Sequence, residues 1–207
     1  MKKTGFTLAE ILITLAIVGI VAALAIPSVI TKASRQAEAS KLSSVVTDLE
    51  NAFGNIMTDK DADNLFDVLD DNSLREHLNY TDTASYNGTP FKTISGGDSS
   101  ESINGTEYTL KNNAKVIIAA SSSDSKNTTL ENKYRLIFID TNSSGTPGRW
   151  GRDGFCYLVG DSGNLYPRGG TDYHSIANST ADACSGSSAN GLGCADKLAK
   201  NNYKVDY

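Results

Sequence analysis

An acidic residue, Glu10, lies at the beginning of a long apolar segment, and its position needs a chemical explanation. Residues 11–31, which follow it, contain no charged side chain. A carboxylate at depth in a bilayer costs about 2.5–3.5 kcal/mol on insertion scales. We therefore expect Glu10 to reach the lipid headgroups or to pair with a positive group, and the two arrangements are compatible.

A second candidate for chemistry is the tetrapeptide GDSG at residues 160–163, which resembles the nucleophile loop of chymotrypsin-like serine proteases. Such a serine needs a histidine as base and a carboxylate to orient it. The chain has two histidines, His77 and His174, and neither stands in a context that resembles the histidine motif of that family. They are also not paired at the spacing of metal ligands. We therefore interpret the tetrapeptide as the turn of a β-hairpin.

The loop that begins at Asp140 is the best candidate for binding a ligand. Asp140, Asn142 and Ser144 match the first half of an EF-hand calcium loop, D-x-N-x-S. Gly151 stands where the bidentate glutamate of that motif is expected, and Asp153 could replace it in a loop of different shape. The sequence predicts a weak calcium site formed by Asp140, Asn142, Ser144 and Asp153, with a polar turn as the alternative.

Cationic and aromatic residues continue that loop. Arg149, Trp150 and Arg152 are close in sequence, and Arg168 could join them in a contact patch. The alternative is that Trp150 anchors the loop on the core while the arginines face water.

The elements that position these residues begin with a membrane segment. The apolar segment is long enough to cross a bilayer as a helix, which takes about 20 residues. In an ordinary signal peptide, a small-residue cleavage site follows the apolar region. Here the small residue, Gly5, precedes it, directly after the basic start of the chain. The lysine and arginine residues on the two sides of the segment do not favour either orientation.

The order Lys-Lys-Thr-Gly, then Phe-Thr-Leu-x-Glu, then an apolar helix resembles the leader of type IV pilins and type II secretion pseudopilins. The residues that carry the resemblance are Gly5, Phe6, Thr7, Leu8, Glu10, Gly19 and Pro27. The resemblance implies that a prepilin peptidase cuts after Gly5 and methylates Phe6. It also implies that Glu10 pairs with the N-terminal amine of a neighbouring subunit during assembly.

The helix should continue beyond the membrane. Apolar residues recur at spacings of three and four, as expected for one helical stripe: Leu42, Val45, Val46, Leu49, Phe53, Ile56 and Met57. Lys41, Ser44, Asp48 and Glu50 lie on the opposite side. We expect Pro27 to bend or loosen the helix, and Gly19 to allow neighbouring helices to approach closely.

The rest of the chain predicts a small antiparallel sheet with a loop-rich C-terminal region, and hence a pilin-like α+β fold. Short helical or turn segments are expected at 61–71 and 73–78, and strands at 107–110, 115–120, 133–140, 155–160, 164–166 and in the C-terminal edge 203–207. We divide the chain into a leader (1–5), a transmembrane and assembly helix (6–30), its amphipathic continuation (31–57) and a globular β domain (58–207).

Three cysteines allow one disulfide. Cys184–Cys194 would close an otherwise unconstrained loop, and pilins and several relatives close a C-terminal loop in this way. Disulfides persist in domains outside the cytoplasm. Cys156 then remains a thiol and acts as a small apolar residue. The sequence alone also allows a bridge from Cys156 to either of the other two.

These patterns predict a structural subunit with no catalytic activity and no required cofactor beyond the possible calcium ion. The resemblance implies as its partners the prepilin peptidase, other pilin or pseudopilin subunits and an inner-membrane assembly platform, and the apolar segment implies the bilayer. The resemblance also implies a location in the bacterial inner membrane, with a cytoplasmic N-terminus, and then in a periplasmic or extracellular filament. Loss of Lys2 and Lys3 with the leader would change the net charge from −5 to −7, so we do not expect nucleic acid as a partner. The alternative is a minor tip pilin that binds a surface, a secreted protein or DNA.

Overall fold

The fold combines one long helix with an antiparallel sheet. The structure is a computed structural model that describes Gly5, residues 7–89, 91–99, 103–120, 134–142 and 148–168, Cys184 and residues 191–205. Its helices are α1 (Leu8–Asp59), α2 (Leu65–Val68), α3 (Asp71–His77) and α4 (Cys194–Lys200). Its strands are β1 (Tyr80–Gly88), β2 (Phe91–Lys92), β3 (Ile103–Leu110), β4 (Lys115–Ala119), β5 (Tyr134–Asp140), β6 (Gly148–Arg149), β7 (Gly154–Gly160) and β8 (Leu165–Pro167).

Helix α1 is 52 residues long and continues through Pro27 without interruption. Its C-terminal half buries the predicted stripe, to which small residues add: Ala39, Leu42, Val45, Val46, Leu49, Ala52, Phe53 and Ile56. Met57 is partly buried against the same core, and the helix ends two residues later than predicted. Lys41 was predicted to lie on the exposed side. It is half-buried, and its Nζ donates to the carbonyl oxygen of Thr141 at 2.5 Å.

Within the described residues the sheet has six strands in the order β1-β3-β4-β5-β7-β8, and every neighbouring pair is antiparallel. The predicted α+β fold is therefore confirmed. Because side chains alternate across a strand, β5 and β7 supply apolar residues to both faces of the sheet. Ile137, Ile139, Phe155, Tyr157 and Val159 pack in the core beneath α1.

A second core covers the opposite face of the sheet. Leu136, Phe138 and Leu158 pack there with residues from distant loops: Phe91, Trp150 and Leu192. The small parallel pair β2–β6 holds Phe91 and Gly148 side by side at this core. The loop after β5 is therefore anchored on the sheet.

Several elements differ from the sequence predictions. Strand β3 begins four residues earlier than expected, and β1, β2, β6 and α4 were not predicted. The predicted C-terminal edge strand is wrong for the described residues 203–205, because Tyr203 ends a turn at φ 56° and no strand follows it. The amide of Gln36 on α1 binds this turn, with its Nε2 donating to the Tyr203 carbonyl at 2.9 Å. Residues 206 and 207 lie outside the described part.

Candidate functional site

The start of α1 contains a closed hydrogen-bonded cap between Thr7 and Glu10. The backbone N–H and the hydroxyl of Thr7 each donate to Oε2 of Glu10 at 2.8 Å. The N–H of Glu10 in turn donates to the Thr7 hydroxyl at 3.3 Å. This reciprocal pair is a capping box, which satisfies two of the backbone donors that every helix N-terminus leaves without partners. Its sequence signature, Thr-x-x-Glu, lies within the leader motif.

This cap holds the Glu10 carboxylate against Thr7, two residues after Gly5, where cleavage is predicted. Gly5 is exposed, and apart from its chain neighbours no heavy atom of the described residues lies within 4 Å of the position that a Cβ on it would occupy. Phe6 lies outside the described residues, so its cleavage and methylation stay predictions. Glu10 is therefore held at the start of α1, where a positive charge placed nearby would form an ion pair with its carboxylate.

The first half of α1 contacts nothing else in the described subunit. Its large side chains, from Leu8 to Ile30, are between 43% and 78% exposed. It is long and apolar enough to cross a membrane. A methyl group added at Gly19 would find no heavy atom of another part of the described subunit within 4 Å, so a neighbouring helix would meet open space there. This half of the helix therefore needs lipid or another subunit to cover it.

Hydroxyl groups in this half are satisfied within the helix itself. Thr14 donates to the carbonyl of Ile11, and Ser28 donates to that of Ala25, each at 2.9 Å. Thr31 donates to the carbonyl of Pro27 at 2.9 Å. Because a bilayer offers no water to polar groups, these bonds suit a helix that enters lipid.

The loop after β5 brings the two carboxylates of the predicted calcium site to one place. Thr141 N–H donates to the carbonyl of Asp153 at 2.8 Å, which closes the base of the loop. One oxygen of Asp140 accepts the N–H of Asn142 at 2.9 Å, and one oxygen of Asp153 accepts the N–H of Arg149. Burial raises the pKa of Asp140 to about 6, and the charge of Asp153 adds to the shift.

A cation beside Asp140 would relieve this unfavourable burial. Ser144 lies outside the described residues, and among the described residues no group of three or more acidic, histidine or cysteine side chains is arranged to hold a metal. Gly151, at the motif position of the bidentate glutamate, has φ +76°, and a Cβ added there would collide with Sγ of Cys194, so this position does not accommodate a glutamate. Calcium binding by Asp140, Asn142, Ser144 and Asp153 therefore stays a prediction.

Trp150 anchors this loop on the second core. It is fully buried, and its indole N–H donates to the Ser99 hydroxyl at 3.0 Å. Arg149 and Arg152 are exposed on either side of it. Arg168 is 4% exposed and so does not join them as a surface patch.

The predicted disulfide is present. Cys184 and Cys194 are bridged with their Cα atoms 4.6 Å apart, and Cys156 is a buried thiol in β7. Cys194 begins α4, whose Ala195 and Leu198 enter the main core. The disulfide therefore ties Cys184 to a helix that packs on the domain.

The tetrapeptide at 160–163 forms the predicted hairpin turn between β7 and β8. Gly163 N–H donates to the carbonyl of Gly160 at 3.0 Å, and Ser162 Oγ accepts from the Asn164 amide at 3.1 Å. His77 lies with its Nε2 3.2 Å from a carboxylate oxygen of Asp59, and His174 lies outside the described residues. The hairpin turn therefore accounts for the tetrapeptide at 160–163.

Comparison with known proteins identifies the first segment. Residues 1–26 match the family model described as the Prokaryotic N-terminal methylation motif. This is the leader of type IV pilins and pseudopilins, which are structural subunits and not an enzyme family. No curated protein and no solved structure matches the chain significantly. Together with the long apolar helix α1, the leader fits a membrane-anchored precursor.

Proposed function

We propose that this chain is a pilin-like structural subunit that is cleaved after Gly5, methylated on Phe6 and assembled into a type II secretion pseudopilus or a type IV pilus. The observation that carries the proposal is the combination of the methylation motif at residues 1–26 with an apolar half-helix that the described subunit leaves uncovered. A filament in which such helices pack side by side would cover that surface.

Glu10 would guide this assembly. Cleavage after Gly5 would create a new amine at Phe6, close in sequence to the capped carboxylate of Glu10. In a bundle of helices the carboxylate of one subunit would pair with the amine of another. Since no charge lies between residues 11 and 31, this pair would set the register of the bundle.

The processing step is tested directly on membrane-extracted protein. Intact-mass measurement and N-terminal sequencing should give a mature chain that begins at methylated Phe6. Gly5→Phe should accumulate as the full-length precursor, because a bulky side chain would occupy the position before the cut. Gly5→Ala, which keeps a small side chain there, is the matched control and should be processed far better. A mature chain that begins near Ser28 would instead indicate an ordinary signal peptide and would refute the proposal.

The kind of filament is a separate question. A clean deletion should be scored in parallel for release of secreted proteins, surface filaments, twitching and DNA uptake. Loss of secretion alone would assign the subunit to a pseudopilus, and loss of filaments and twitching would assign it to a retractable pilus. An isolated binding or uptake defect with intact filaments would favour the tip-module alternative.

A further inference from the structure

One end of the globular domain carries a dense negative charge. Six aspartates and a single lysine lie in residues 59–71, which we call the acidic segment, and all six aspartates are exposed. Three have local partners: Asp59 faces His77, Asp70 caps α3, and Asp71 accepts from the Tyr108 hydroxyl. Within the described chain, Asp61, Asp63 and Asp67 form no ion pair.

The acidic segment begins at the C-terminal end of α1. The carboxyl end of a helix is negative, so cations are favoured in its last turn. The last turn of α1 contains no basic residue, but its C-cap is Lys60, which stands between Asp59 and Asp61. Lys60 offsets only part of the charge of the six aspartates, so the acidic segment keeps a net negative charge that would attract a cation from outside the subunit.

Another part of the domain, beside the start of its buried helix stripe, carries a cationic cavity. The cavity has a volume of about 320 Å³ and is lined by the three arginines Arg35, Arg149 and Arg152, and its apolar lining includes Ala39, Phe155 and Leu198. We call it the arginine pocket. Among the described residues that line it there is no carboxylate. Arg149 and Arg152 form no ion pair within the described chain.

The arginine pocket suits a carboxylate ligand. Guanidinium groups bind carboxylates in a two-pronged geometry. An apolar lining lowers the local dielectric and strengthens the attraction. The acidic chain as a whole, at a formal charge of −5, would not attract anions without such a local cluster.

The two features cannot meet within one subunit. Arg35 and Asp59 are both on α1, and at about 1.5 Å per residue they are about 36 Å apart along its axis. In a filament whose helices are parallel, however, the acidic segment of one subunit points in the direction of the arginine pocket of the next subunit along the axis.

We propose that the arginine pocket receives the acidic segment of a second copy of this chain, as an axial contact between globular domains. This inference rests on the proposed function, since it requires a filament of parallel subunits. The proposal rests on charge complementarity. Arg149 and Arg152 form no ion pair within the described chain, and they would meet Asp61, Asp63 and Asp67, which form no ion pair there either. The contact would fix the axial order of subunits outside the membrane, where Glu10 has no influence.

Charge reversal tests the contact in cells that make the full-length chain. Arg149→Glu with Arg152→Glu should lower the amount of subunit in sheared filaments about tenfold, since close charge pairs couple strongly across interfaces. Asp63→Lys with Asp67→Lys should do the same. The combination of all four changes should restore assembly to within about threefold of the unchanged chain. Lys111→Glu and Asp82→Lys, exposed charges elsewhere, are the matched controls and should assemble normally.

Cysteine cross-linking identifies the partner. Chains with Arg152→Cys and chains with Asp63→Cys, expressed together, should form a disulfide-linked dimer in filaments, whereas Arg152→Cys with Asp82→Cys should not. Normal assembly of the reversed chains, no rescue by the four changes, or a cross-link to a different protein would each overturn the proposal. If the unchanged chain is never cleaved or never enters filaments, the proposed function fails first and this inference falls with it. If the unchanged chain assembles, failure of the charge tests concerns the axial contact alone.

Discussion

The two halves of α1 share one continuous helix but differ in what covers them. Between Ala39 and Ile56 the helix buries eight side chains in the core of the domain. Between Leu8 and Ile30 its large apolar side chains are all exposed, and nothing in the described subunit approaches them. Regular helix geometry is therefore compatible with two opposite environments, and only the pattern of residues distinguishes them.

The difference separates folding from assembly. Apolar burial stabilises a fold in proportion to the area removed from water, so the second half contributes to the stability of the domain. The first half contributes nothing to that stability until lipid or other subunits surround it. Substitutions in the two halves should accordingly affect different measurements, which makes the comparison testable.

Glu10 should give the largest effect, and only on assembly. Glu10→Ala should be processed and inserted normally but enter filaments at least about tenfold less, because one charged pair is commonly coupled by about 1.4 kcal/mol or more. The measurement is the ratio of sheared-filament to membrane-bound subunit on immunoblots.

Glu10→Gln separates the charge from the cap. A glutamine can still accept the hydrogen bonds of Thr7, so it keeps the capping box but not the charge. We expect both variants to assemble poorly. If the glutamine variant assembles as well as the unchanged chain, the carboxylate acts through the cap and the pairing role is wrong.

Leu49 and Leu24 compare the two halves directly. Leu49→Ala removes a fully buried side chain and should destabilise the domain by about 2–5 kcal/mol. Leu24, at 76% exposure, is outside the core, so Leu24→Ala should leave the unfolding of the domain unchanged. Urea unfolding in mild detergent, followed by tryptophan fluorescence, measures both. Equal destabilisation by the two variants would show that the first half packs on the domain after all.

The disulfide should have a smaller effect, confined to the globular half. Reduction of Cys184–Cys194 should lower the free energy of unfolding by about 3 kcal/mol or less, because the closed loop is short. A Cys156→Ala chain should show the same dependence on reductant. Non-reducing peptide mapping should find Cys184 linked to Cys194, and a linked peptide that contains Cys156 would contradict the structure.

Asp140 should give the smallest effect, and the size of that effect should depend on pH. Burial raises its folded pKa to about 6, above the ordinary 3.8, so its ionisation opposes folding. The domain, residues 31–207 in a chelator, should therefore lose stability through this group as the pH rises from about 4 to 7. Asp140→Asn should remove that dependence and stabilise the domain at pH 8 by about 1–2 kcal/mol, a figure reduced for partial exposure. An unchanged pH profile in this variant would contradict the assignment.

Calcium should reverse the penalty at Asp140 if the predicted site exists. Millimolar calcium should then raise the melting temperature of the same domain, magnesium should do so much less, and Asp140→Asn should abolish the response. If calcium leaves the melting curve unchanged, the loop is a polar turn.

The sequence predicted those parts of the fold whose residues repeat at a regular period. The apolar stripe of α1 and the strands β4, β5 and β7 carry such patterns, and the structure has them close to the predicted positions. Strand β1 is mostly polar and is held by pairing with β3, so no burial pattern marks it. Helix α4 has seven residues, and its hold on the core depends on Ala195, Leu198 and a disulfide rather than on helix propensity.

Contacts between distant loops could not be predicted from patterns in the sequence. The second core joins Phe91, Trp150 and Leu192, which no period relates, and the arginine pocket joins Arg35 to Arg152 in the same way. The start of α1 is different, because Thr7 and Glu10 have the spacing of a capping box. That local contact could have been predicted from four residues.

The continuity of α1 has a mechanical consequence. A rod of 52 residues is about 78 Å long, and the chain does not leave the helix at Pro27. A pull applied to the end of the rod in the membrane acts along its axis, parallel to the sheet face on which the second half lies. The load is then shared by the eight buried side chains at once, in shear. A pull across the axis would instead peel them away one after another, so the subunit should resist traction from the membrane better than a sideways force of equal size.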